Sequence, residues 1–211
     1  MAVSGTSSRT YDGLPVEDRR ADRRTRFLTA GLAVFGESGY QNSSITMLCR
    51  AAGLARSQFY EHFTNREDLL LAVYDEIQEV ARREVAAAIA ATGGQPGLAP
   101  TRAAVTAFAE SVGRDPHRAQ VTFVEVVGVS AAVEAHRIEQ REKWVDFFAE
   151  EMRKTFGPSF IPPGGYRAAA TGFIGALMAL VHQWSTSVPR PELTDAVAVL
   201  TCFLNSLAGP R

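Results

Sequence analysis

Residues 27–71 read FLTAGLAVFGESGYQNSSITMLCRAAGLARSQFYEHFTNREDLLL, and the fold is decided there. Phe27, Leu28, Leu32 and Phe35 recur at spacings that share one helix face. Gly36 and Gly39 mark the end of that helix. Ser43 and Ser44 stand where a hydroxyl accepts the orphan amide hydrogens of a second helix, Ile45 to Ala52. Gly53 then breaks the chain at a tight turn that a side chain would obstruct, and a third short helix is expected from Arg56 to Phe63. Two short helices meeting at Ala52-Gly53-Leu54 make a helix-turn-helix.

Working outward, residues 1–16 are small and polar and are expected to be a disordered tail. An Arg-rich turn from Arg19 leads into the first helix. Arg19, Arg20, Arg23, Arg24 and Arg26 are either a solvated face or a set that meets flanking phosphates. Downstream, Asn65 is placed to cap a long helix, 66–91, with Leu69, Leu70, Val73, Tyr74, Ile77 and Val80 on its buried side. Thr92 to Pro100 is a loop. Helices are then expected at about Thr101 to Val112, from Pro116 to about Val129, from Ser130 to Gly157, from Tyr166 to Ser187, and from Pro191 to Gly209. Asp115-Pro116 supplies an N-cap followed by proline in the first turn. No stretch alternates as a strand does. The reading is an all-α chain of about nine helices. Residues 17–65 form a three-helix N-terminal domain containing the helix-turn-helix, and 66–211 form a helical body.

Composition narrows the function classes. The chain has 211 residues, and its apolar share of 46% supports a sizeable core. No apolar run is long enough to span a bilayer, and Met1 to Thr10 lacks the charged-then-apolar order of a secretory signal. Cys49 and Cys202, the two cysteines, have no metal-ligand spacing and cannot form a disulfide framework. The expectation is a cytoplasmic protein with no membrane, metal or cofactor. Net charge is −1, but it is unevenly spread: residues 1–66 hold nine Arg against six acidic residues, or +3, and the remainder carries −4. A basic head on an acidic body suits a nucleic-acid reader. Of the four histidines, His117, His136 and His182 have no carboxylate-rich or Cys partner motif, and no phosphate loop or nucleophile–base pair is evident. No enzymatic activity is expected.

The stretch resembles the DNA-binding region of the tetracycline-repressor (TetR) family. The matching residues are Phe35, Gly39-Tyr40, Ser43-Ser44-Ile45, Ala51-Ala52-Gly53-Leu54, Phe59-Tyr60-Glu61-His62-Phe63 and Arg66-Glu67-Asp68-Leu69-Leu70. The resemblance covers about the first third of the chain. It implies that Tyr60 bonds a DNA phosphate through its hydroxyl and that His62 contacts the backbone or packs. It also implies that Arg66, where the family usually has Lys, neutralises phosphate. Ser44 and the amides opening the second helix form an anion site, and such contacts fix register without reading sequence. Arg56, Ser57 and Gln58 open the recognition helix, whose N-terminal residues reach base edges in the major groove. Arg can take guanine and Gln can take adenine, and Thr46 is a further candidate for a base. Phe59 and Phe63 are core. Ala55 replaces the usual Ser, so one cap is expected to be lost.

For the body, the resemblance implies a small-molecule inducer. Phe108, Phe123, Trp144, Phe148 and Phe173 offer large apolar surfaces, and Glu125 and His182 are polar residues in apolar stretches; these seven are the candidate ligand contacts. A buried Glu125 needs a partner, either Arg118 or a cationic ligand. Ala168, Gly172, Gly175, Ala176 and Ala179 permit close helix approach, and with Ala196, Val199, Leu200, Phe203 and Leu207 they are expected to pair with their twins in a homodimer. The expected function is a transcriptional regulator, a repressor released from a palindromic double-stranded operator by its inducer. A ligand-independent or partner-controlled DNA-binding protein is the alternative.

Overall fold

The computed structural model describes residues 16–94, 97–157 and 160–207. Among them are nine α-helices and no strand: α1 Val16–Ser38, α2 Ile45–Ala52, α3 Arg56–Tyr60, α4 Arg66–Ala91, α5 Ala99–Phe108, α6 Pro116–Gln120, α7 Ala131–Phe156, α8 Gly165–Thr186 and α9 Leu193–Leu207. The all-α reading holds. Of the expected disordered tail, residues 1–15 lie outside the described residues, and Val16 already opens α1. The chain divides into two compact units, the first ending at Val73 and the second beginning at Tyr74.

In the first unit, α1–α3 close around Phe27, Phe35, Leu48, Phe59 and Phe63, all buried. Phe27 meets Phe59 edge-on, with ring centroids 5.4 Å apart at 89°, and meets Phe63 at 6.1 Å; such T-shaped pairs stabilise beyond their buried area. Helix α2 is capped at both ends. The Ser44 hydroxyl accepts from the Met47 N–H at 3.2 Å, and Gly53 takes the left-handed conformation at φ 62°. Arg26 completes that end: its guanidinium donates to the Ala52 carbonyl at 2.8 and 3.2 Å and to the Gly53 carbonyl at 3.1 Å. A cation at the carbonyl end of a helix complements its dipole.

Helix α3 stops at Tyr60, short of the expected Phe63, because residues 64–68 are committed to starting α4. Asn65 accepts the Asp68 N–H at 2.9 Å, and the Asp68 carboxylate accepts from the Thr64 N–H at 2.9 Å. Phe63 stays buried on the intervening turn.

The second unit departs from the expected spans at two points. Helix α5 runs into a π-helical turn, Ala109–Gly113, and α6 into another, Val121–Glu125. The expected helix to Val129 therefore ends early, and Gly128 turns at φ 71°. At Gly113 a Cβ would lie 2.9 Å from the Trp184 ring and 3.0 Å from Val181, so glycine lets this turn lie against α8. Ser130 caps α7 through the Val133 N–H at 3.1 Å, and Asp115 caps α6 through the His117 N–H at 2.9 Å. Helices α4 and α7 are joined by polar contacts. Asp75 bonds His136 at 2.6 Å and Gln140 at 2.7 Å, Arg82 donates to Gln140 at 3.0 Å, and the Trp144 indole donates to Gln78 at 2.8 Å. Among the described residues no helix is long and apolar enough to cross a membrane.

Candidate nucleic-acid interface and ligand cavity

The residues expected at base edges and phosphates share the first unit. Ser44, Thr46, Arg56, Ser57 and Tyr60 are all exposed. Tyr60 leaves 49% of its surface open while its neighbour Phe59 leaves none. Arg56 donates to the Tyr60 hydroxyl at 3.1 Å, and its guanidinium lies 5.7 Å from the Tyr60 ring centroid. These two side chains thus form an i, i+4 pair along α3. Gln58 is half-buried, and its Oε1 accepts the Ala55 N–H at 2.8 Å. As expected, Ala55 offers no side-chain cap to the first amides of α3, and Gln58, which satisfies the Ala55 N–H, has work besides any base.

Two residues turn inward. Arg66 donates to the Tyr40 carbonyl at 2.9 Å, to the Ser43 carbonyl and to the Ser43 hydroxyl at 3.1 Å, and lies over the Tyr40 ring at 4.7 Å. Its guanidinium clamps the α1–α2 turn to the start of α4. The His62 ring packs at 6.3 Å from Phe27 and 6.2 Å from Phe63, and its Nε2 is buried with no hydrogen-bond partner. Of the arginines, Arg23 pairs with Glu61 at 3.2 Å, Arg26 holds the end of α2, and Arg24 lies over Phe63 at 5.7 Å.

Burial lowers the His62 pKa, and Arg20 and Arg23 lower it further against the opposing Glu61. With the folded value below the unfolded one, near 6.5, the unfolded chain binds the proton more readily. Stability of this unit should therefore fall as pH drops through about 6.5, and the loss should level off once the lowered folded value is passed. Urea unfolding between neutral and mildly acid pH should show this slope, and His62→Phe should flatten it. An unchanged slope in the variant would assign the acid sensitivity elsewhere.

In the second unit the candidate ligand contacts separate. Phe108, Trp144 and Phe173 are fully buried and belong to a ring-on-ring core: Phe108 meets Trp144 at 5.2 Å, Trp144 stacks on Phe148 at 5.8 Å, and Phe148 meets Phe173 at 5.2 Å. Phe148 also lines a recess of about 30 Å³ with Ile89, Ala104 and Met152, which has room for little more than water. Phe123 and His182 come together, their rings stacked at 5.0 Å and 15°. They line a larger cavity of about 320 Å³ with Tyr74 of α4, Thr122, Arg137 and Arg141 of α7, and Ile174 and Met178 of α8. That volume is in the range of small-ligand pockets. Glu125 is not among the residues lining this cavity. It is half-buried and accepts from the Gln120 amide at 2.7 Å.

Residues 27–73 match the sequence model of bacterial regulatory proteins, tetR family. The chain therefore resembles this family in its N-terminal stretch. It is 33% identical over 58 residues to the HTH-type transcriptional regulator UidR of Escherichia coli K12, a match spanning 28% of this chain and 30% of that relative. Its fold is similar to that of the fatty acid degradation regulator FadR from Bacillus halodurans, with TM-score 0.74 and 21% identity over 90% of this chain and 96% of the other. It is also similar to FadR from Bacillus subtilis, solved in complex with stearoyl-CoA, with TM-score 0.70 and 18% identity over 88% and 97%. At these identities the likeness is one of fold.

Sequence reasoning missed Arg26 as a helix clamp and Thr122, Arg137 and Arg141 as cavity residues. Arg26 sits in a run of arginines that gives no hint which one turns inward. Arg137 and Arg141 lie four apart on one face of α7, a spacing that equally describes a solvated face. The Gly53 turn and the Asn65 cap had local signals and were legible.

Proposed function

We propose that the chain is a cytoplasmic DNA-binding transcriptional regulator, a repressor that reads a palindromic duplex as a homodimer and releases it when a small molecule occupies the second unit. The observation that carries this reading is the exposed row of Ser44, Thr46, Arg56, Ser57 and Tyr60, held by a fully buried Phe59 on the second helix of a helix-turn-helix. Such a helix enters the major groove with its first residues toward base edges. Ser44 at the start of α2 and Tyr60 serve phosphates. The dimer reading draws support from α9, where Val199 is 56% and Phe203 37% exposed. Ligand control draws support from chain continuity: α4 begins at Arg66, which clamps the first unit, and carries Tyr74 to the cavity wall.

Selection from a random duplex pool tests the reading. The chain should enrich a palindrome, and Arg56→Ala should weaken it by roughly 1–3 kcal/mol with relaxed preference at one base position per half-site. Tyr60→Phe should weaken all duplexes alike, as loss of a phosphate contact does. Failure to prefer any duplex at moderate salt would remove the proposal.

A further inference from the structure

The cavity behind Phe123 and His182 holds polar groups that the fold does not satisfy. Thr122 is 5% exposed, lines the cavity, and has an Oγ1 buried without a hydrogen-bond partner. A helical threonine ordinarily bonds a carbonyl one turn back. This one lies on a π-helical turn, a distortion that recurs at functional sites. A buried hydroxyl left unpaired costs free energy, which a ligand atom would recover.

The charges lining the cavity are Glu134, Arg137 and Arg141. Glu134 is paired with Arg137, whereas Arg141 makes no salt bridge or hydrogen bond among the described residues. Two cations against one carboxylate leave one positive charge over. The other titratable residues at the wall are Tyr74, whose hydroxyl burial pushes up to about 12 and so keeps neutral, and His182, whose ring stacks on Phe123. The rest of the lining is apolar: Phe123, Ile138, Ile174, Met178 and Ala179. A guanidinium presents a planar fork of donors suited to carboxylate or phosphate oxygens.

We infer that this cavity binds an amphipathic monoanion, its carboxylate or phosphate head on Arg141 beside Arg137, its apolar body between Phe123, Ile174 and Met178, and an acceptor atom at Thr122. This deepens the regulator reading and rests on it for the consequence that the occupant bears on Tyr74 and hence on α4. Asp75, the next residue, is held by His136 and Gln140 of α7, so a ligand drawing in α7 acts on the same helix pair.

Calorimetric titration of the full chain with octanoate, octyl phosphate and 1-octanol tests the assignment. At least one anion should bind about tenfold or more tightly than the neutral alcohol, as charge-assisted hydrogen bonds require. The preferred head distinguishes a carboxylate from a phosphate source. Arg141→Gln, at an exposed position, should remove that advantage and leave octanol unchanged, and Thr122→Val should weaken the anion several-fold. Equal binding of octanol, an Arg141→Gln variant as tight as the parent, or no binding by any probe would overturn the assignment. The selected duplex is titrated separately. Duplex binding without anion binding ends the ligand assignment and leaves the regulator reading standing, and anion binding without duplex binding does the reverse.

Discussion

Phe59→Ala is expected to unfold the first unit while the second stays folded. Phe59 is fully buried, edge-on to Phe27 and 5.6 Å from Phe63. Truncating a core phenylalanine typically costs about 3–5 kcal/mol, a large fraction of the roughly 5–15 kcal/mol that holds a domain. Helix α3 has five residues, too few to persist by local propensity, so Phe59 is its principal tether. The two tryptophans, Trp144 and Trp184, both lie in the second unit. Their fluorescence should report an unfolding midpoint in urea close to the parent's, while far-ultraviolet circular dichroism shows an early loss of helix and duplex affinity vanishes. Phe59→Leu, which keeps most of the buried volume, should recover most of both. A single coincident transition in Phe59→Ala, with duplex binding intact, would show that the ring does not anchor the reading helix.

The contrast between these units explains what could be read from the residues. The helix-turn-helix was legible because each of its joints has a local signature. Ser44 caps α2 three residues before the amide it accepts from, Gly53 takes a left-handed turn, and Asn65 caps α4. The loss of a side-chain cap at Ala55 was legible because alanine has no acceptor, while the bond from Gln58 to the Ala55 N–H was not. The cavity was less legible because it depends on which rings leave space and which fill it. Phe108, Phe123, Trp144 and Phe173 look alike in sequence. Only packing shows that three are closed in the core and that Phe123 stacks on His182 at a cavity wall. The π-helical turns had no signal in periodicity, yet one of them puts Thr122 at that wall.

Trp144→Ala should destabilise the second unit about as much as Phe59→Ala does the first. Trp144 is fully buried among Phe108, Phe147 and Phe148, and losing such a ring costs roughly 3–5 kcal/mol. It also donates to the Gln78 carbonyl oxygen at 2.8 Å, and Gln78 is itself fully buried with an unpartnered Nε2. Without the indole both ends of that amide are orphaned, adding about 1–3 kcal/mol. Trp144→Phe separates the two contributions, since it keeps an aromatic body and removes only the donor. Denaturant unfolding followed through Trp184 should rank Ala well below Phe, and Phe below the parent. The vacated space is apolar on three sides, and engineered apolar cavities of this kind take up small aromatics. Added indole should therefore raise the midpoint of Trp144→Ala and leave the parent unmoved. Gln78 belongs to α4 and Trp144 to α7, the pair also joined by Asp75, His136 and Gln140. A loss under about 1 kcal/mol in Trp144→Ala would mean that these polar bonds, not the ring, hold α4 against α7; the cost of burying an amide half-satisfied makes that the less stable arrangement.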